Sequence, residues 1–155
     1  LPAEMVDVAK QRGINVKIVE TNVMRVFAYP SQKAGRPTAN QDFRLAIAWA
    51  IDRSKIASDA FNGAARPNST YLTYGLQYHD EQLGLTFGDK PDLDRAKQHL
   101  AASGVKPGQK LTITVLNTPE LVKTATIVQA NLKELGLAAE VRAEEIAAIV
   151  DHWRG

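Results

Sequence analysis

The sequence predicts an α/β fold, a mixed sheet flanked by helices, and three observations carry that prediction. An apolar helix pair fills the stretch from Asn40 to Gly63. One strand, Leu111-Thr112-Ile113-Thr114-Val115-Leu116, alternates cleanly between apolar and polar residues. Between it and a second strand marked by Leu137, Ala139 and Val141 lies a helical stripe at Leu121, Ala125, Val128, Leu132 and Leu135. Right-handed crossovers set two such strands side by side and parallel, with the helix across one face.

The elements follow in order. Residues 3–12 form a short amphipathic helix with Met5, Val8 and Ala9 inward, ended at Gly13. Ile14, Val16 and Ile18 alternate as in a half-buried strand over 14–19, and residues 23–29 form a second extended run closed by Pro30. Residues 30–37, with Pro30, Gly35 and Pro37, read as an exposed connection and as the boundary between a first unit (1–29) and a second (30–155).

In the next helix Phe43, Ile47, Ala50 and Ile51 face one side, with either Thr38 or Asn40 as its cap. Asp52 caps a further helix carrying Ile56, Ala60 and Phe61, which Asn62-Gly63 ends. Residues 64–90 show no helical period. A connection of that length in a compact domain is disordered or functional, and its clustered tyrosines argue against disorder. Asp92 then caps a helix with Leu93, Ala96 and Leu100 inward, stopped by Gly104. Thr118-Pro119-Glu120 starts the crossover helix, and Ile146, Ile149 and Val150 begin one more.

Composition excludes several classes of function. With 155 residues, 45% hydrophobic and 23% charged, the chain supports a folded core. A net charge of +2 with scattered Lys and Arg gives no reason to expect nucleic acid. There is no cysteine, hence no disulfide, thiolate metal site or Cys nucleophile, and no apolar run of the ~20 residues that a membrane helix needs. The chain begins at Leu1 and stops inside a helical pattern, which reads as a piece of a larger protein.

No catalytic constellation is visible. His79, His99 and His152 lie in different elements without metal spacing, and Asp52-Arg53 is explained by capping and a local ion pair. No nucleophile elbow or phosphate-cradling glycine loop occurs. The candidate ligand contacts are Tyr71, Tyr74 and Tyr78 in the long connection, and Tyr29 beside the unit boundary. Tyrosine offers a flat apolar face and a hydrogen-bonding tip, and ligand clefts favour such junctions. Loops also use tyrosine to anchor themselves, so both roles stand open for these residues. No cofactor and no metal is expected, and the chain does not read as an enzyme.

Three blocks carry a family resemblance. Arg44, Ala46, Ala50, Ile51, Asp52, Arg53 and Ile56, followed by Gly63, resemble the "Arg-x-Ala-x-x-x-Ala-Ile-Asp-Arg-x-x-Ile … Gly" segment of the extracytoplasmic solute-binding proteins of family 5, the peptide- and nickel-binding receptors of ABC transporters. Residues 92–104 are similar to that family's "Asp-Pro-x-x-Ala-Lys-x-Leu-Leu-x-x-Ala-Gly" helix, and residues 127–137 to its "Ile-x-x-Gln-Leu-x-x-Ile-Gly-Ile" helix-to-strand step. The order and spacing of the blocks agree over most of residues 25–142. The sequence departs at Leu45, where Gln is frequent, at His99, where Leu is, and at 26–30, which lack an Asn.

The resemblance implies a lobe of a periplasmic-binding-protein-like type II receptor. Residues 1–29 would end the first lobe and its crossover strand, and 30–155 would form a second lobe truncated at its carboxyl end. It further implies a monomeric, extracytoplasmic or periplasmic receptor. That receptor would close two lobes on an oligopeptide or similar small solute and deliver it to a membrane permease. A ligand-sensing domain of a regulator, or an enzyme domain completed by further chain, are the rival expectations.

Overall fold

A computed structural model of the chain describes residues 5–17, 19, 23, 25 and 34–154. Its elements are α1 (Val6–Gln11), α2 (Gln41–Ala50), α3 (Arg53–Lys55) running into a π-helical turn (Ile56–Ala60), α4 (Glu81–Gly84), α5 (Leu93–Ser103), β1 (Lys110–Leu116), α6 (Pro119–Glu134), β2 (Ala138–Glu144) and α7 (Ile146–Arg154). Among the described residues the sheet is β1 and β2 alone, parallel, with Leu111 opposite Ala139 and Ile113 opposite Val141. The crossover arrangement expected from the sequence is the one observed, with α6 packed on both strands.

The amino-terminal part differs. Residues 14–17 and 19 carry no strand pairing, and Ile14 and Val19 stand exposed. An alternating run becomes a strand only beside a partner, and none of the described strands lies next to this one. Apart from residues 23 and 25, which are not in a strand, the extended run expected over 23–29 lies outside the described residues.

The core explains the order of the remaining elements. Phe43, Ala46, Ile47 and Ala50 from α2 meet Ala96 and Leu100 from α5, Ile113 from β1, and Ala125, Val128 and Leu132 from α6. Phe43, Val128 and Leu132 are fully enclosed. Period-four and period-two patterns thus converge on one apolar cluster, whose burial is the main favourable term in folding.

Helices α2 and α5 lie antiparallel, tied at both ends. Asn40 caps α2 by accepting the Phe43 amide at 3.2 Å and donates its own Nδ2 to the Ser103 carbonyl at the end of α5. At the other end the Asp92 amide donates to the Trp49 carbonyl, while the Asp92 side chain caps α5 through the Arg95 amide. Between them His99 Nδ1 lies 2.8 Å from Asp42 Oδ1. Of the two caps read for α2, the structure uses Asn40. Thr118 precedes α6 as expected but makes no side-chain cap bond.

Two further joints set the geometry. Asp52 breaks the chain between α2 and α3, capping the latter through the Lys55 amide at 2.7 Å. Its own amide donates to Oδ1 of Asn131, a buried residue of α6. Gly136 ends α6 with a positive φ of 78°, and its carbonyl accepts the Gly108 amide at 2.7 Å, which brings the starts of β1 and β2 level. Removing a buried partner leaves the other group desolvated and unpaired. Asn131→Ala is therefore expected to cost about 1–3 kcal/mol, read as a lower urea midpoint at unchanged m value. An unchanged midpoint would show that water replaces the lost acceptor.

Candidate functional site

Parallel strands joined by a crossover helix bring strand ends and a helix amino terminus to one edge, the edge where α/β folds bind ligands. Here that edge holds a pocket of about 240 Å3 lined by Arg25, Phe61, Leu116, Thr118, Glu120 and Leu121. Leu116 is the last residue of β1, and Thr118 to Leu121 are the cap and first turn of α6. Phe61 arrives from the end of the π-helical turn. That turn packs on α6 and is closed by left-handed Asn62 (φ 49°) and Gly63 (φ 75°).

The lining combines three apolar side chains with a guanidinium, a carboxylate and a hydroxyl. Such a pocket can hold a small solute bearing both apolar surface and charge. Among the described residues that line it there is no Ser, Cys or His. A larger groove of about 490 Å3, between Gly35–Asn40 and Ser103–Gln109, opens at the amino-terminal side of β1. It is shallow and lies on the edge away from the strand ends, so the smaller pocket is the better candidate.

The connection 64–90 is ordered by its own polar groups. Asn68 Nδ2 donates to the carbonyls of Thr70 and Leu72, and its Oδ1 accepts the Thr70 amide. The Ser69 amide donates to the Gly84 carbonyl, and Ser69 Oγ accepts the Phe87 amide. Phe87 packs edge-on against Trp49 at 5.1 Å, with Arg53 over the Phe87 ring and Arg95 over the Trp49 ring, which pins the loop to α2, α3 and α5.

The nominated tyrosines take different positions. Tyr74 turns inward: its hydroxyl donates to the Pro67 carbonyl at 2.9 Å, and its ring lies against His79 at 4.4 Å and beneath Arg66. Tyr71 and Tyr78 project outward, 75% and 76% exposed. No two tyrosine rings stack on each other among the described residues, and Tyr29 lies outside them.

The sequence pattern marks Phe61 as core and Thr118 as a cap, and does not single out Arg25, Leu116, Glu120 or Leu121 as pocket residues. The signal for them was the strand-end rule, applicable once Leu111–Leu116 and Leu137–Val141 read as a parallel pair.

Among the described residues no group of three or more metal-ligating side chains occurs. The Lys55 ammonium and Asp59 carboxylate, 2.7 Å apart, hold each other charged: their hydrogen bond raises the pKa of Lys55 and lowers that of Asp59. Neither lines the pocket.

Comparison with known proteins supplies the family. The model of the bacterial extracellular solute-binding proteins, family 5 (middle region), matches residues 1–154. No curated protein matches the chain in a sequence search. Among solved structures, the chain is similar to the PBP AgaA of A. tumefaciens R10 in complex with agropinic acid, at 25% identity and a TM-score of 0.66 over 74% of this chain and 23% of that one. The ABC transporter substrate-binding protein CtaP of Listeria monocytogenes gives 25% and 0.67 over 74% and 24%. The periplasmic binding protein DppA of Helicobacter pylori, in complex with peptide STSA, gives 26% and 0.60 over 72% and 21%. The chain thus spans about a quarter or less of the length of these relatives. The family is one of solute-binding receptors, not of enzymes. With a family model matched from residue 1 to residue 154 and a fold shared with its solved members, the chain belongs to the bacterial extracellular solute-binding proteins, family 5.

Proposed function

We propose that this chain is part of the substrate-binding receptor of an ABC importer, forming one wall of a cleft that closes on an oligopeptide or similar small solute. Residues 30–155 belong to the second lobe in this reading, and residues 1–29 end the first. The observation that carries it is the pocket at the carboxyl end of β1, where apolar Phe61, Leu116 and Leu121 sit with Arg25 and Glu120. Both signs of charge beside an apolar floor suit a solute such as a peptide, which carries an ammonium, a carboxylate and side chains. The complexes of AgaA with agropinic acid and of DppA with a peptide support a solute of that size and polarity.

The mechanism is capture without chemistry. Binding energy from the two lobes favours the closed state, which the permease then receives. The receptor works as a monomer outside the cytoplasm and needs no cofactor. Tyr71 and Tyr78 extend the ligand wall from the loop, Tyr74 braces it from behind, and Tyr29, next to Pro30 in the sequence, is the fourth ligand contact in this reading.

Calorimetric titration of the full-length protein with short peptides and agropinic acid tests this reading. Tyr71→Ala and Glu120→Gln should each weaken binding about tenfold, equivalent to ~1.4 kcal/mol, with the Tm of the empty protein unchanged. Tyr74→Phe should instead lower stability by about 0.5–1.5 kcal/mol through its lost bond to Pro67. Full affinity in both Tyr71→Ala and Glu120→Gln would remove the pocket and loop from the ligand site.

A further inference from the structure

We infer that His79 is the positioning residue of the tyrosine loop, and that the loop keeps its shape only while this imidazole is neutral. Its Nδ1 lies 2.8 Å from the Leu72 carbonyl. A carbonyl can only accept, so Nδ1 carries the proton. The same carbonyl also accepts from Asn68 Nδ2 and Thr70 Oγ1, each at 3.0 Å, which makes it the point where the loop's internal bonds converge. The other ring nitrogen, Nε2, is buried without a hydrogen-bond partner.

Packing leaves the ring little room to turn. One side faces Tyr74, and at the other a Cβ added to Gly84 would come within 3.2 Å of His79 Cε1 and 3.1 Å of Asn68 Oδ1. The Gly84 carbonyl in turn holds the Ser69 amide. Ring, loop and α4 are therefore fixed together, and the exposed Tyr71 and Tyr78 ride on the segment they fix.

Protonation would place a second N–H at Nε2, where nothing accepts it. A buried donor without a partner is costly, more so when charged. The Nδ1 bond to Leu72 strengthens on protonation and offsets part of this cost. Of the charged groups around the loop, Arg66 stands over the Tyr74 ring that covers His79. The Asp80 carboxylate is engaged by the Gln82 and Leu83 amides. Glu81 is exposed on α4, and Asp89 and Lys90 lie at the far end of the loop. Acidification that protonates the ring should therefore loosen a loop that is closed when the ring is neutral. Where the loop faces the solute, as proposed above, affinity falls with it. That consequence rests on the receptor reading, whereas loop order in the empty protein does not.

The test is amide exchange by NMR at Ser69, Thr70 and His79, corrected for intrinsic rates, with α6 amides as reference, at pH 7.5 and 5.5. In the wild type, protection at these three should fall about tenfold or more relative to α6. The fall should persist in His99→Asn, which removes the histidine that faces Asp42 between α2 and α5. It should vanish in His79→Asn, which keeps an N–H donor near the Nδ1 position and cannot be protonated, and His79→Ala should be loose at both pH values. Protection independent of pH in the wild type, a fall in His79→Asn equal to that of the wild type, or a His79→Asn loop open at both pH values would each overturn the inference.

Discussion

Asn131 is a polar side chain inside an apolar core, and its Oδ1 accepts the Asp52 amide at 3.1 Å. That bond holds the break between α2 and α3 against α6, and so determines where the π-helical turn leaves the core. Phe61, at the end of that turn, reaches the first turn of α6 because the break is held there. An aliphatic residue at 131 would leave the part-buried Asp52 amide without its acceptor. One core hydrogen bond thus connects the apolar helix pair to the pocket at the strand end.

The loop over residues 64–90 solves a different problem. It contributes little to the core, yet its hydrogen bonds and the Trp49–Phe87 contact give it one shape. Tyr71, Tyr78, Leu83 and Leu85 remain exposed on it. A surface that holds its form while keeping aromatic side chains in water is preorganised, since the ordering cost falls on folding rather than on binding. The division of labour among the tyrosines follows: Tyr74 supplies the brace, and Tyr71 and Tyr78 supply the outer surface.

Much of this architecture was legible in the sequence because it rests on periodicity and capping, which are local. Phe43, Ile47 and Ala50 mark α2, Asp52 and Asp92 are caps that the structure uses, and the alternation from Leu111 to Leu116 marks β1. The parallel pairing followed from the strand-helix-strand order. Long-range partners were not legible. Nothing local distinguishes Asn131 from a surface residue of α6, or shows that Phe61 reaches Leu116. The inward turn of Tyr74 depends on Pro67 and His79, whose approach is set by the folded loop. The alternation at Ile14 and Val16 gives no strand among the described residues for the same reason, since a strand is defined by its neighbour.

The central claim is that this chain belongs to a receptor that captures a solute intact. Native mass spectrometry of the full-length protein, purified without denaturation, tests it most directly. The account predicts a one-to-one adduct in the mass range of a short peptide or other small solute, released unmodified when the protein is unfolded. Absence of any adduct, together with an unchanged melting temperature across peptides and metal chelates, would contradict it and favour a regulator or an enzyme.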